Sequence, residues 1–335
     1  MRRSLRCNMV FTMLSALHHG QGVDGNVALF RTGRFLVRGE VQDLPYISGN
    51  ALKHVLVRDP GVRHMLRVLE LKDGSLSKGA IHLLFSGGSL SVKGSAVSLS
   101  QYREICELVP ILAICGGAVG NYMIESRISV GDARPVCDEH GDRIPVAELI
   151  DAGMIDPEDV ERPIGHLLDV QMGTRHDPLR APTVRRYLTG GEQRQLELDK
   201  SAALAVREEG GHADKGDSQQ MLYERQVLAA GTRLHSRLYT RDLTEMEEAA
   251  LWSAVGEWLR RPFLGANSSV GNGEARLRIL PSEPVSVPGT VWEGTTAPVA
   301  VGEPEHCQMH TWMSRYDEQL LERKADILAA LGKIR

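Results

Sequence analysis

The chain has 335 residues, 42% hydrophobic and 24% charged, with 39 Lys and Arg against 43 Asp and Glu for a net charge of −4. That is enough apolar sequence to bury a real core, in one large domain with insertions or two smaller ones, while the mild negative charge argues against indiscriminate nucleic-acid binding. No apolar run approaches the ~20 residues that span a bilayer; five cysteines without an even, close spacing predict free thiols in a reducing compartment, the cytoplasm.

Cys7 to Leu17 alternates with apolar residues on both sides, Met9, Phe11 and Met13 against Val10 and Leu14, which predicts a central strand. The basic and then apolar start therefore reads as a strand and not as a signal peptide. Leu17 to Asn26 predicts a loop. His18 and His19, near Asp24, are the residue types for general acid–base cleavage of a phosphodiester, and a solvated histidine pair is the plainer reading. Ser48 is a candidate cap for a helix over Ala51–Arg58, whose positive end, helped by Lys53 or His54, suits a phosphate; an ordinary capped helix is the alternative. Asp59-Pro60-Gly61 is expected to break it before a second helix, Val62 to Leu71.

Leu83 to Leu90 reads as a small turn-rich segment, Gln101 to Cys115 as one buried helix closed by Gly116-Gly117, and Asn121 to Val130 as a strand. From Asp132 to about Ser218 regularity drops, predicting inserted and partly mobile sequence. Charge is segregated there. Asp132 to Glu161 holds ten acidic residues and two arginines, whereas Met172 to Arg194 holds five arginines and two acidic residues. Such neighbouring blocks allow a basic groove on an acidic body and contacts between copies.

Gly231 to Tyr239 predicts a strand with Leu234 and Leu238 inward and Arg233, His235 and Arg237 outward. Thr244 and Glu247 then have the form of a capping box for a helix with Met246, Ala250, Leu251, Ala254, Val255 and Trp258 on one face, ended by Arg260-Arg261-Pro262. Gly265 to Gly273 is too rich in small and turn-forming residues to pack a core. It reads as an exposed loop whose backbone N–H groups suit an anion. Ala275, Leu277 and Ile279 alternate with Arg276 and Arg278 in the following strand, and His310 to Ile334 reads as a last amphipathic helix. Cys137 with His140 and Cys307 with His310 would together make a tetrahedral Cys₂His₂ zinc site, or are two unrelated pairs. No Walker A, HExxH or GxSxG pattern occurs.

Four stretches, in order, resemble the RAMP-superfamily backbone subunit of multi-subunit CRISPR effectors, the seventh Cas family. They are Ser15-Ala-Leu-His-His-Gly20; Pro45-Tyr-Ile-Ser-Gly-Asn-Ala-Leu-Lys53; Arg175 to Arg180 with Gln220 to Val227; and Gly231-Thr232 with Gly265 to Gly273. Ser48 stands where that family has a second proline and Asn50 where it has a serine. The resemblance implies an α+β fold with a ferredoxin-like (RRM-type) palm and large insertions forming thumb and finger or lid elements. Residues 1–335 would be a single RAMP-type domain, with 1–131 and 219–335 as palm core and 132–218 as an inserted region including part of the thumb.

It further implies a guide RNA (crRNA) held mostly by phosphate and sugar. The residues implied are His18, Ser48, Gly49, Asn50, Lys53, His54, Arg58, Arg233, Gly265, Asn267, Ser268, Ser269, Gly271 and Gly273 on the palm, and Arg175, Arg180 and Gln220 at the thumb. Met221 or Leu222 would wedge between bases. Implied partners are further copies of the chain, other effector subunits and, through the guide, a target nucleic acid; no cofactor and no membrane is implied. Type IV complexes are the most similar. In type III relatives an aspartate in the loop before the helix cuts target RNA, and Asp24 is the residue of this chain that could match it, but Gly25 to Thr32 is longer than that family's segment and Thr32 stands where it has an aspartate. A non-catalytic scaffold is therefore the expectation, with cleavage at Asp24 the alternative.

Overall fold

The computed structural model describes residues 2, 4–88, 98–119, 122–175, 182–195, 197–198, 221–281, 299–300 and 307–334. The first strand, β1 (Arg6–Met13), is buried on both sides, as its two apolar faces predict. The loop expected after it is instead a hairpin of β2 (Gly20–Asp24) and β3 (Val27–Phe30), turning at Gly25 with φ +58°. A second hairpin, β4 (Thr32–Val37) with β5 (Glu40–Pro45), turns at Arg38 and Gly39, both left-handed.

Helix α1 (Gly49–Lys53) passes without a break through a π-helical turn (His54–Arg58) into α2 (Asp59–Val68), so Pro60 does not end it. Proline has no N–H to give the carbonyl four residues back, and its ring crowds that carbonyl; the wider π turn just before it removes both demands. α3 (Lys78–Ser86), capped by Ser77 and closed by Gly87 at φ +76°, takes in the first half of the stretch expected to be turn, whose last two residues lie outside the described residues. The single helix expected to follow is two, α4 (Leu99–Leu108) and α5 (Pro110–Cys115), because Pro110 drives Val109 out of the helical region to φ −124°, ψ 85°. The expected strand over 121–130 also divides: β6 (Gly117–Val119) and β7 (Tyr122–Ile124) form a hairpin, while β8 (Ile128–Val130) and β9 (Arg134–Pro135) join a larger sheet. Then come α6 (Val146–Asp151), α7 (Pro157–Glu161), β10 (Leu168–Arg175), α8 (Pro182–Arg185), β11 (Met221–Leu228), β12 (Arg233–Thr240), α9 (Glu245–Leu259), β13 (Ala275–Pro281), β14 (Val299–Ala300), α10 (Cys307–Glu322) and α11 (Lys324–Gly332).

The fold is α+β. Its largest sheet runs β14-β13-β1-β12-β8, with β9 also on β12, and neighbouring strands are antiparallel. In sequence, α1 and α2 lie between β1 and β8, and α9 lies between β12 and β13. One face of β1 meets α9, where the Phe11 and Trp258 rings sit edge-on at 6.2 Å. On the other face Val10 and Leu280 pack with Val136, Ile144, Leu149, Met154 and Ile155. Residues 132–160, expected to be inserted and partly mobile, thus form a covering layer of the sheet.

Two further expectations change. Helix α9 is buried all round from Glu247 to Val255, not along one stripe, because α2, α5 and α10 enclose it as well as the sheet. His235 points inward: its Nε2 lies 3.0 Å from Asn8 Oδ1, and Asn8 Nδ2 donates to Glu148 Oε1 at 2.9 Å.

The chain forms two compact units. Met1–Gly20, Arg31–Asp169 and Val227–Arg335 make the first, which holds the large sheet; Gln21–Phe30 and Val170–Gln226 make the second. The second contains most of a four-stranded sheet, β10-β11-β3-β2, in which β11 runs parallel to β3. There Gly173 lies under the Tyr223 ring, where a Cβ would come within 2.2 Å of ring carbon. Among the described residues no helix is long and apolar enough to cross a membrane.

Candidate nucleic-acid interface

The glycine-rich loop is built against the segment that leaves β1. Ala266 N–H donates to the His18 carbonyl and Gly273 N–H to the Ala16 carbonyl, both at 2.8 Å, and Leu264 N–H closes the loop onto the Gly273 carbonyl at 2.8 Å. Two glycines permit this approach. Gly265 has φ +71° and a Cβ there would lie 2.2 Å from the His18 carbonyl oxygen; Gly273 has φ +89° and a Cβ would lie 1.9 Å from that of Leu264. Between them Asn267, left-handed at φ 66°, opens a single 3₁₀ turn, Ser268–Val270, which Gly271 closes at φ +84°. The N–H groups of Val270, Gly271 and Asn272 are used inside the loop. Those of Asn267, Ser268 and Ser269 find no acceptor among the described residues. Successive free donors of this kind are what an anion requires. His18 is buried, so it serves the loop through its backbone and is not a solvated loop histidine.

The start of α1 is organised differently from the sequence expectation. Ser48 Oγ accepts from Ala51 N–H at 3.4 Å, as a cap should, but Gly49 N–H is already bound to the Asp132 carboxylate at 2.9 Å. A Cβ on Gly49 would lie 2.0 Å from the Val130 carbonyl oxygen, so this glycine lets the helix sit on the end of β8. Gly49 is accordingly corrected from a phosphate contact to an anchor, because a carboxylate of the chain occupies the place a phosphate would take on its N–H, while Ser48 is the cap of α1. Asn50 and His54 are exposed and Lys53 is half-buried. Burial, and after it the Arg58 guanidinium, lower the pKa of the Lys53 ammonium, with Cys115 pulling the other way.

Arg58 and Arg233 are also corrected. Arg58 is buried and its Nη2 donates to the carbonyls of Cys115 (3.1 Å) and Gly116 (2.7 Å), tying the end of α5 to the π turn. Arg233 is held by Asp156 at 2.7 Å and by Asp159, so its charge is spent within the fold. His54 and Ser268 meet across one groove of about 530 Å³, which Arg63, Glu257, Arg261 and Phe263 also line. Sequence reasoning passed over Asp132, and it took Arg260-Arg261-Pro262 for a helix stop alone; a double arginine beside a glycine loop was the available signal.

Arg180 and Gln220 lie outside the described residues, and Arg175, Met221 and Leu222 are described in backbone only, on β10 and β11. Asp24 is exposed at the end of β2. Cys137 and His140 are buried in the first unit; burial first, then Arg134 and Arg143, bring the His140 pKa down to about 4. The side chains of Cys307 and His310 lie outside the described residues, and among those described no group of three potential ligands could hold a metal ion.

No protein-family model matches the chain, and no curated protein matches it in sequence. Among solved structures, a chain of a type IV-B CRISPR complex superposes with a TM-score of 0.52 over 85% of this chain and 94% of its own, at 19% identity. The protein has the fold of that type IV-B chain. A crystal structure of Csc2 from Thermofilum pendens aligns with 98% of this chain and 80% of its own at 13% identity, with a TM-score of 0.34, too slight a likeness to bear on the fold. The type IV-B chain is matched over nearly its full length.

Proposed function

We propose that this protein is a non-catalytic backbone subunit of a type IV CRISPR effector, in which a ferredoxin-like palm holds the guide RNA and successive copies assemble head-to-tail along it. The strand order β13-β1-β12-β8, with helices in the two crossovers, supports the palm. The fold shared with a chain of a type IV-B complex supports the setting, other effector subunits included. The observation that carries the reading is the glycine loop: three backbone donors with no acceptor among the described residues, in a loop hydrogen-bonded to the segment that leaves β1 and facing an exposed His54 across a groove. Backbone N–H groups grip phosphate and read no base, as a subunit that must accept any guide sequence requires. Target nucleic acid is then engaged through the guide.

The test is the state of the purified protein. It is expected to carry RNA, seen as a raised 260 nm absorbance, and to form open helical assemblies in micrographs that disappear after ribonuclease treatment, since contacts that do not close on themselves give filaments. Bare protein eluting as a monomer would overturn the reading. The loaded assembly is expected not to cut target RNA; a cut that Asp24→Ala abolishes while assembly persists would make it a type III-like nuclease.

A further inference from the structure

We infer that the groove between the π turn and the C-terminal end of α9 is a nucleotide pocket in which one base of a single-stranded RNA stacks on Arg261 and Phe263. The inference rests on the RNA-binding reading and adds to it a second place of contact, of a different chemistry from the glycine loop. At about 530 Å³ the groove is in the size range of small-ligand sites. Its cations are not equivalent. Arg63 is bound to Asp59 at 2.7 Å and Arg260 lies 3.6 Å from Glu257, whereas Arg261, among the described residues, makes no ion pair. Its guanidinium lies over the Phe263 ring, 5.7 Å from the centroid.

The backbone that carries this ring is tied on both sides. Phe263 N–H donates to the Arg261 carbonyl at 2.9 Å, its own carbonyl accepts from Trp258 Nε1 at 3.1 Å, and it bridges to Glu274. A guanidinium beside an aromatic ring on a tied backbone offers a stacking platform, and every base has a π face to offer it, so the contact tolerates any guide sequence. The two carboxylates in the groove, Asp59 and Glu257, add acceptors for base amines and ribose hydroxyls, groups that a nucleotide has. Ser268 belongs to both the groove and the glycine loop, so a strand whose phosphate sits on the loop has its neighbouring nucleotide at the groove mouth.

The experiment compares two fluorescently labelled RNA strands of equal length, one intact and one with abasic ribose at every position, binding to RNA-stripped protein. Arg261→Lys and Phe263→Leu are the variants, each checked for an unchanged thermal transition. Both are expected to bind intact RNA roughly ten- to a hundred-fold more weakly than wild type and abasic RNA about as well. Equal loss on both strands would reduce the groove to a charge effect and overturn the stacking. Wild-type affinity of both variants for both strands would overturn the pocket while leaving RNA binding intact; a wild-type protein that binds neither strand would fell the RNA reading itself. An acidic peptide that binds wild type more tightly than intact RNA does, and loses that binding in Arg261→Ala, would reassign the groove to a protein partner.

Discussion

Gly273 and Gly271 share a left-handed backbone, yet only one of them has a neighbour. At Gly271 a Cβ would meet nothing within 4 Å, so Gly271→Ala is expected to cost the conformational penalty alone, about 1 kcal/mol. At Gly273 it would collide with the Leu264 carbonyl, so Gly273→Ala is expected to lose clearly more and to displace the loop. Urea unfolding of the two variants measures the difference. The buried histidines give a pH dependence of definite sign. Burial first, then Arg237 and Arg134, bring His235 from 6.5 to about 3, and His140 falls to about 4. Between these values and 6.5 the unfolded chain takes up protons that the folded chain refuses, so stability falls as the pH is lowered through that window. The denaturation midpoint should drop between pH 6.5 and 4, and His235→Gln should flatten the profile. His235 was read as outward because strand alternation says which face a residue takes, and cannot say that a second layer covers that face.

Elements were legible where the signal is local and obscured where it depends on neighbours. The Thr244 and Glu247 capping box is formed as expected, with Thr244 N–H on Glu247 Oε2 at 2.9 Å and Glu247 N–H on Thr244 Oγ1 at 3.3 Å. Thr244→Ala is therefore expected to cost about 1 kcal/mol, read from the thermal transition. Glu247 does more than cap, since it also binds Arg127, which links β8 to α9. Proline gave the mixed outcome. Pro110 splits a helix that periodicity had read as whole, and Pro60 fails to end one because the π turn makes room for it. The glycine loop was visible as composition, but its two ties to the carbonyls of Ala16 and His18 were not, because no side chain marks them.

On the scale of the whole molecule, the acidic stretch 132–161 and the basic stretch 172–194 fall in different compact units. The acidic one is largely consumed inside its own unit, where Asp132 binds the start of α1 and Asp156 and Asp159 hold Arg233. The basic one belongs to the second unit. Replacing Arg175 and Arg180 together by Ala is accordingly expected to weaken binding of all RNA sequences alike and to flatten its dependence on salt, because fewer counterions are released. Anisotropy titrations across a salt series measure both; a loss confined to some sequences would remove these arginines from the phosphate contacts. The glycine loop is hung on the main chain. Its two ties to the segment leaving β1 end on peptide carbonyls, which every amino acid carries, so replacement of the side chains at 16 and 18 leaves both available. A cradle hung on the main chain in this way can keep its shape while the letters beside it drift.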